Sequence, residues 1–283
     1  MIINNRIDEK KISVRDHAIA IKSWHSSEAH PVIALHGFLD NAASFDFLAP
    51  LLDKYHVISF DQAGNGHSDF RSPSSHYHLW DDLLDILSLM ASLHLEKITL
   101  IGHSRGATLA LLFAANFPEK VDKVILLDGL LPPPVEDQDC LKQMRGFLTQ
   151  HHSLNKKPRY YPYFDDWVLR RMQINSISQE AAIALAERSV KQNEEGYCWH
   201  YDPKIKMPSV LKLNKSQVDF ILQSIDLPVH LIYASEGIMN NTSMKSMMSL
   251  CNKQFTISEV EGHHHFHMQP VVEEIAKLCL DSF

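Results

Sequence analysis

Short apolar segments alternate with amphipathic segments along most of this chain. Residues 12–24, ISVRDHAIAIKSW, alternate apolar and polar side chains with a period of two, which predicts a half-exposed pair of strands. The segments PVIALHG, HVISFDQAG, KITLIG and KVILLDG are short apolar runs that end in glycine. This pattern is typical of strands that are buried on both faces of a sheet.

Apolar residues recur at helical spacing between these predicted strands. NAASFDFLAPLLDKY and ATLALLFAANF predict helices, and VVEEIAKLCLDSF predicts a last one. HYHLWDDLLDILSLMASLHL is a longer amphipathic helix, with an apolar stripe formed by Leu79, Leu83, Ile86, Leu87 and Met90. Strands that alternate with helices predict an α/β fold with a mainly parallel, twisted sheet flanked by helices.

The alternation stops at three consecutive prolines, Pro132–Pro134, which continue neither a helix nor a central strand. Strands return only at LPVHLIYASEG and QFTISEVEG. We therefore predict a core formed by residues 1–130 and 227–283, with a helical cap inserted at 131–226. The cap has a cluster of aromatic residues that either wall an apolar pocket or pack the cap onto the sheet: Tyr160, Tyr161, Tyr163, Phe164 and Trp167.

Composition and charge narrow the function classes. The 283 residues carry a formal net charge of −7, which argues against nucleic acid or an anionic membrane as a partner. We find no apolar run near the ~18 residues of a membrane span and no apolar signal core at the start. Because both signals are absent, we expect a cytoplasmic location. The four cysteines lack metal-site spacing, so we expect reduced thiols at Cys140, Cys198, Cys251 and Cys279.

A serine lies between two glycines where a predicted strand becomes a helix. In ITLIGHSRGATLALLFA, Ser104 is flanked by Gly102 and Gly106. Glycines at these positions relieve the crowding of a sharp strand-to-helix turn, and the following helix directs free N–H groups at the hydroxyl. We therefore predict that Ser104 is a nucleophile.

A serine nucleophile needs a general base. The loop after the last predicted strand, at the carboxyl edge of the sheet, contains four histidines: His263, His264, His265 and His267. One of them is the predicted base. A metal site is the alternative, but adjacent loop residues rarely converge on one ion, so we predict neither metal nor cofactor.

Two acidic residues could orient the base. Asp128 ends KVILLD, and Glu236 ends the next sheet strand in LIYASEG. We favour Asp128, because its strand should lie beside the serine strand and its side chain is short. Glu236 remains the alternative, and both keep the chain order Ser, acid, His.

Backbone amides must stabilise the oxyanion of the tetrahedral intermediate. Gly37 in ALHGFLDN lets the backbone fold over the pocket, so the N–H of Phe38 is one candidate donor. The N–H of Arg105, directly after Ser104, is the other. We interpret His36 as a structural histidine.

With these motifs assembled, the chain resembles the α/β-hydrolase superfamily, and within it the serine hydrolase-like proteins and bacterial esterases. The resemblance rests on HGFLDNAASFDFLAPLL, DQAGNGHSD, GHSRGA, LLDGLLPP and EGHHHFHM. It implies that His264, two residues after Gly262, is the catalytic histidine. It also implies Asp128 as the acid. The chain departs from the family after the seventh strand, where Gly237 stands in place of a common aspartate.

The expected function is therefore a cofactor-free carboxylesterase that cleaves esters with small to medium acyl groups through an acyl-enzyme. A thioesterase or carbon–carbon bond hydrolase with the same triad is the first alternative. A non-catalytic ligand-binding protein on this scaffold is the second, although such proteins usually lack a triad residue. The expected partner is a small-molecule ester, and the sequence leaves the oligomeric state open.

Overall fold

Eight strands form one large sheet in the computed structural model, which describes residues 7–151 and 158–282. The strands are β1 (Ile7–Val14), β2 (His17–Trp24), β3 (His30–Leu35), β4 (Tyr55–Phe60), β5 (Ile98–His103), β6 (Val121–Leu127), β10 (Val229–Glu236) and β11 (Phe255–His263). Three short strands form a second sheet: β7 (Tyr160–Tyr161), β8 (Val190–Asn193) and β9 (Gly196–Trp199).

The large sheet has the order β1-β2-β4-β3-β5-β6-β10-β11. Six strands run parallel to one another, in the order β4, β3, β5, β6, β10 and β11. Strands β1 and β2 pair antiparallel at one edge, and β2 is also antiparallel to β4. This arrangement confirms the predicted mainly parallel α/β sheet and the strand pair at 12–24. Because β5 and β6 are adjacent, the turns that follow them meet at the same edge of the sheet.

Eight helices accompany the strands of the described chain. They are α1 (Leu79–Ser92), α2 (Arg105–Asn116), α3 (Cys140–His151), α4 (Phe164–Asn175), α5 (Gln179–Ser189), α6 (Lys215–Ser224), α7 (Thr242–Met248) and α8 (Val272–Ser282). Apolar residues of α1, α2, α6 and α7 share one core cluster with the sheet. A second cluster, on the other face, includes apolar residues of α8.

The prediction of a helix over NAASFDFLAPLLDKY is wrong. The segment forms two separate 3-10 turns, Ala42–Phe45 and Ala49–Leu51. The first begins where the Asn41 side chain accepts a hydrogen bond from the Ala43 N–H. Pro50 lies in the second and supplies no backbone N–H, so the two turns do not merge into an α-helix. Phe45 and Leu48 still fill the core, which accounts for the apolar spacing.

The inserted segment contains more than the helices that we expected. Strands β7, β8 and β9 form its small antiparallel sheet. Trp167, Leu185 and Trp199 form a separate apolar cluster with Met268 of the core. Within the predicted cap, Val218 and Leu222 of α6 pack in the main core. The boundaries at 131 and 226 stay a prediction, and residues 152–157 lie outside the described residues.

Membrane-spanning helices are absent from residues 7–151 and 158–282, because none is both long and apolar enough. The four cysteines are free thiols in the structure. Cys279 is fully buried in α8, and burial raises the pKa of its thiol to about 12.

A buried ion pair connects α5 to the core. The Nε of Arg188 donates to the Asp61 carboxylate at 2.8 Å, and its Nη1 donates to Glu9 of β1 at 2.7 Å. Asp61 is completely buried and also accepts backbone N–H bonds from Ala42 and His67, each at 2.7 Å. The loop after β3, the loop after β4 and α5 therefore share one carboxylate.

We predict that Arg188→Met destabilises the protein by about 3 kcal/mol, because it leaves the Asp61 charge buried without its cation. Lys215→Met is the control: it removes an exposed ion pair with Asp219 in α6 and should cost less than about 1 kcal/mol. Denaturant unfolding of both variants measures the difference. Equal effects would contradict this assignment of the buried pair.

Candidate active site

The turn between β5 and α2 holds Ser104 in an unusual backbone conformation. Its φ of 54° and ψ of −116° lie outside the common regions for an L-residue. A Cβ at Gly102 would lie 2.3 Å from the Gly106 carbonyl oxygen, and a Cβ at Gly106 would lie 2.0 Å from the Leu35 carbonyl oxygen. Gly102 is therefore required for the close approach of β5 to the start of α2, and Gly106 for the close approach of α2 to β3.

His264 connects the serine to an acid. Its Nε2 lies 2.9 Å from Ser104 Oγ, and its Nδ1 lies 2.6 Å from Asp128 Oδ2. With Asp128 ionised, Nδ1–H donates to the carboxylate, so Nε2 is left to accept the serine proton. The structure thus brings together the three residues that the sequence predicts, from the loops after β5, β6 and β11.

The Asp128 carboxylate is held by backbone amides as well as by His264. The N–H of Ile238 donates to it at 2.9 Å, and those of Ala234 and Met239 donate at 3.3 and 3.4 Å. A Cβ at Gly237 would lie 2.3 Å from Asp128 Oδ2. This contact explains why glycine, and not the aspartate common in the family, stands at position 237. No side chain fits there beside an acid at position 128.

Glu236, the alternative acid, lies away from His264. Its carboxylate is 3.4 Å from Nδ1 of His263, and both side chains are largely exposed. The other two histidines of the cluster point inward. His265 Nε2 lies 3.1 Å from Asp40, and His267 Nε2 lies 2.9 Å from Ser44 Oγ.

The oxyanion donors predicted from the sequence are the backbone N–H groups of Arg105 and Phe38, and this assignment stays a prediction. Arg105 is the first residue of α2, so its N–H has no acceptor within that helix. Its guanidinium is engaged by Gln62 and Asp82. The Phe38 side chain is 47% exposed, and the preceding Gly37 has no room for a Cβ, which would lie 2.9 Å from His103 Nδ1.

A family model described as the alpha/beta hydrolase fold matches residues 30–271. The chain belongs to the alpha/beta-hydrolase family. Serine hydrolase-like protein 2 of Homo sapiens is 30% identical over 289 residues, which cover 93% of this chain and 90% of the human protein.

Two solved structures resemble this alpha/beta hydrolase along nearly its whole length. A hypothetical protein of Pseudomonas aeruginosa PAO1 is 32% identical with a TM-score of 0.92, over 97% of this chain and 98% of that chain. A thioesterase domain from the curacin biosynthetic pathway is 27% identical with a TM-score of 0.87, over 98% and 100% of the two chains.

A buried cluster that the sequence did not predict contacts the backbone of His264 in this alpha/beta hydrolase. His103 donates from Nε2 to the His264 carbonyl oxygen at 2.9 Å, and its Nδ1 faces Asp40 Oδ2 at 3.7 Å. Asp40 also pairs with Arg171 of α4 and with His265. Asp40, in the segment HGFLDN, is the feature of the sequence that could have indicated this cluster, because a buried carboxylate needs a partner.

Among the described residues, one group could hold a metal ion, and it consists of Asp40, His103 and His265. One ligand atom from each of the three lies within 4.8 Å of the others. The Arg171 guanidinium already balances the Asp40 charge. The expectation of no metal stays a prediction.

His36 forms its hydrogen bonds away from Ser104, His264 and Asp128. Its Nδ1 donates to the Gly37 carbonyl at 2.8 Å, and its Nε2 accepts from Gln62 N–H at 2.9 Å.

Burial holds the pKa of His267, and that of His103, well below the ordinary value of 6.5, and neighbouring histidines lower both pKa values further. The unfolded chain therefore takes up protons near pH 6.5 that the folded chain does not. By linkage, each such histidine makes the free energy of unfolding fall as the pH decreases below 6.5, by at most about 1.4 kcal/mol per pH unit.

We predict that His267→Gln reduces the slope of the free energy of unfolding against pH by at most about 1.4 kcal/mol per pH unit, because glutamine cannot be protonated. Denaturant unfolding of the wild type and the variant between pH 5 and 7.5 measures the two slopes. This window lies above the range in which Asp40 titrates, since its pKa is held well below 3.8. Identical slopes would contradict a neutral His267 in the folded protein.

Proposed function

We propose that this protein is a serine hydrolase of the carboxylesterase type that cleaves esters with small to medium acyl groups. The observation that carries the proposal is the continuous hydrogen-bonded chain from Asp128 through His264 to Ser104, with contacts of 2.6 and 2.9 Å. A non-catalytic protein on this scaffold would not need such a chain on a strained turn.

In the proposed mechanism, Ser104 Oγ attacks the ester carbonyl carbon while His264 Nε2 takes the hydroxyl proton. Asp128 stabilises the imidazolium through Nδ1–H. The backbone N–H groups of Phe38 and Arg105 donate to the oxyanion. The carbon–oxygen bond to the alcohol then breaks, and His264 gives its proton to the leaving alkoxide, which leaves an acyl-enzyme.

Water completes the cycle by the same route. His264 takes a proton from water, the hydroxyl oxygen bonds to the acyl carbon, and the Ser104 ester bond breaks as Ser104 recovers its proton from His264. The products are a carboxylic acid and an alcohol. Each proton transfer in this scheme uses Nε2 of His264, because Nδ1 remains hydrogen-bonded to Asp128.

We predict that Ser104→Ala lowers kcat on p-nitrophenyl butyrate by about 10⁶-fold, because no other group supplies the attacking oxygen. A fluorophosphonate probe should label the folded wild type once, at Ser104, and should not label the variant. Intact-protein mass spectrometry and the release of p-nitrophenol are the measurements. Full activity in Ser104→Ala would disprove the assignment of the nucleophile.

The two acids are separated by matched amide substitutions. Asp128→Asn should lower kcat by about 10⁴-fold, because the amide cannot accept from Nδ1–H while also matching the backbone donors of Ile238 and Ala234. Glu236→Gln, at an exposed carboxylate, should retain kcat. Thermal unfolding of both variants shows that each is folded. The opposite ranking of the two variants would assign the acid to Glu236.

A thioesterase is the second candidate, and one observation favours it: the 27% identity to the curacin-pathway thioesterase domain. The same triad cleaves both ester types. Comparison of kcat/KM on p-nitrophenyl hexanoate and on S-hexanoyl-N-acetylcysteamine separates the two, since both carry the same acyl group.

A further inference from the structure

A cavity of about 540 Å³ lies beside the loop that follows β3. Leu39, directly after the proposed oxyanion donor Phe38, forms part of its wall. The opposite wall comes from the inserted segment, with Trp167 and Arg170 on α4 and Trp199 at the end of β9. The cavity is therefore shared between the hydrolase core and the insertion.

The side chains that line the cavity carry charge of the opposite sign to the net charge of the chain. Within the part of the chain that the structure describes, no carboxylate lines the cavity, whereas four cationic side chains do: Arg159, Arg170, Arg171 and Lys206. The chain as a whole has 27 basic and 34 acidic residues and a net charge of −7. A cleft with one sign of charge between low-dielectric walls concentrates ligands of the other sign.

Most of these cations are not neutralised by the protein. Arg171 pairs with Asp40, but within residues 7–151 and 158–282 no carboxylate oxygen lies within 4 Å of a nitrogen of Arg159, Arg170 or Lys206. The ion pair with Asp40 fixes Arg171, whereas the other three charges are available to a ligand.

Aromatic faces hold several of these cations. The Arg171 guanidinium carbon lies 4.7 Å from the ring centre of Trp199, and Lys206 Nζ lies 4.4 Å from that of Tyr201. Arg159 stacks in the same way, 4.8 Å from the ring of Tyr161. Cation–π contacts orient a cation without cancelling its charge, so they prepare the cavity for an anion.

We propose that this cavity binds an anionic group, a carboxylate or a phosphate, on a part of the substrate remote from the scissile bond. The proposal rests on the proposed function, because it names the class of ester that Ser104 cleaves. Ser104 does not line the cavity, so the anion contributes binding energy at a distance from the reacting carbonyl. Arginine suits this role because its planar donors match carboxylate and phosphate oxygens.

The first experiment compares p-nitrophenyl hydrogen adipate with p-nitrophenyl hexanoate, in which a methyl group replaces the distal carboxylate. We expect the wild type to prefer the adipate. The double variant Arg170→Gln/Lys206→Gln should lower the ratio of kcat/KM for adipate to that for hexanoate by about 10-fold, mainly through KM for the adipate. Arg170→Lys should retain part of the preference, and added salt should weaken it in the wild type.

Lys245→Gln on α7 is the matched control, because it removes one exposed positive charge away from the cavity and should leave the ratio unchanged. A second pair, acetyl-coenzyme A and S-acetyl-N-acetylcysteamine, tests for the anion on the leaving group. A preference confined to the adipate assigns the cavity to the acyl side, and one confined to acetyl-coenzyme A assigns it to the leaving group.

Hydrolysis of the hexanoate with no preference for either anionic substrate would overturn the cavity proposal and leave the proposed function intact. If no ester is hydrolysed and Ser104 is not labelled by fluorophosphonate, the proposed function fails. Calorimetric titration of the Ser104→Ala variant with adipate and with coenzyme A then tests the cavity without turnover. Binding that disappears in Arg170→Gln/Lys206→Gln supports the cavity, and absence of binding by both compounds refutes it.

Discussion

The site depends on one buried carboxylate that backbone amides hold in place. Asp128 is fully buried, and an ionised acid in such a position needs several donors to replace water. The amides of Ala234 and Ile238 and Nδ1–H of His264 provide them. The loops after β6, β10 and β11 therefore take their relative positions from a single side chain, and the orientation of the His264 ring toward Ser104 follows from it.

A second constraint comes from the inserted segment, which is joined to the core by polar contacts as well as by apolar packing. Asn41 donates to the Leu185 carbonyl and to Ser189 Oγ, each at 2.8 Å, and Tyr77 donates to Asp202 at 2.8 Å. Arg171 reaches Asp40 beside the Gly37 turn. The segment that forms the cavity wall thus also supports the loop with the proposed oxyanion donor, so the cavity and the proposed reaction centre share a framework.

Much of the fold, and the meeting of Ser104, His264 and Asp128, could be predicted from the sequence because the relevant signals are local. The glycines around Ser104 and the aspartate at the end of β6 are visible in a few residues each. The different roles of the four late histidines could not be predicted locally, because their partners come from three distant parts of the chain: Asp40 and Ser44 after β3, Asp128 after β6, and Glu236 at the end of β10.

The same limit explains what the sequence did not predict about the inserted segment. The expected pocket aromatics lie within eight residues of one another in the sequence, yet Tyr163 is 70% exposed, and Trp167 lines the cavity together with the distant Trp199. The strands β8 and β9 are only four residues long, which is too short for a period-two pattern to be distinctive. The cationic lining is dispersed over three chain segments and becomes apparent only after folding.

The packing between Gly237 and Asp128 also has an evolutionary consequence. Since a side chain at 237 would overlap the carboxylate at 128, the acid cannot simply be duplicated in the neighbouring loop before the original one is given up. Transfer of the acid from one loop to the other requires substitutions at both 128 and 237. A change at 237 alone crowds the carboxylate of Asp128, and a change at 128 alone removes the acid. A single substitution is therefore not enough to move the carboxylate from position 128 to position 237.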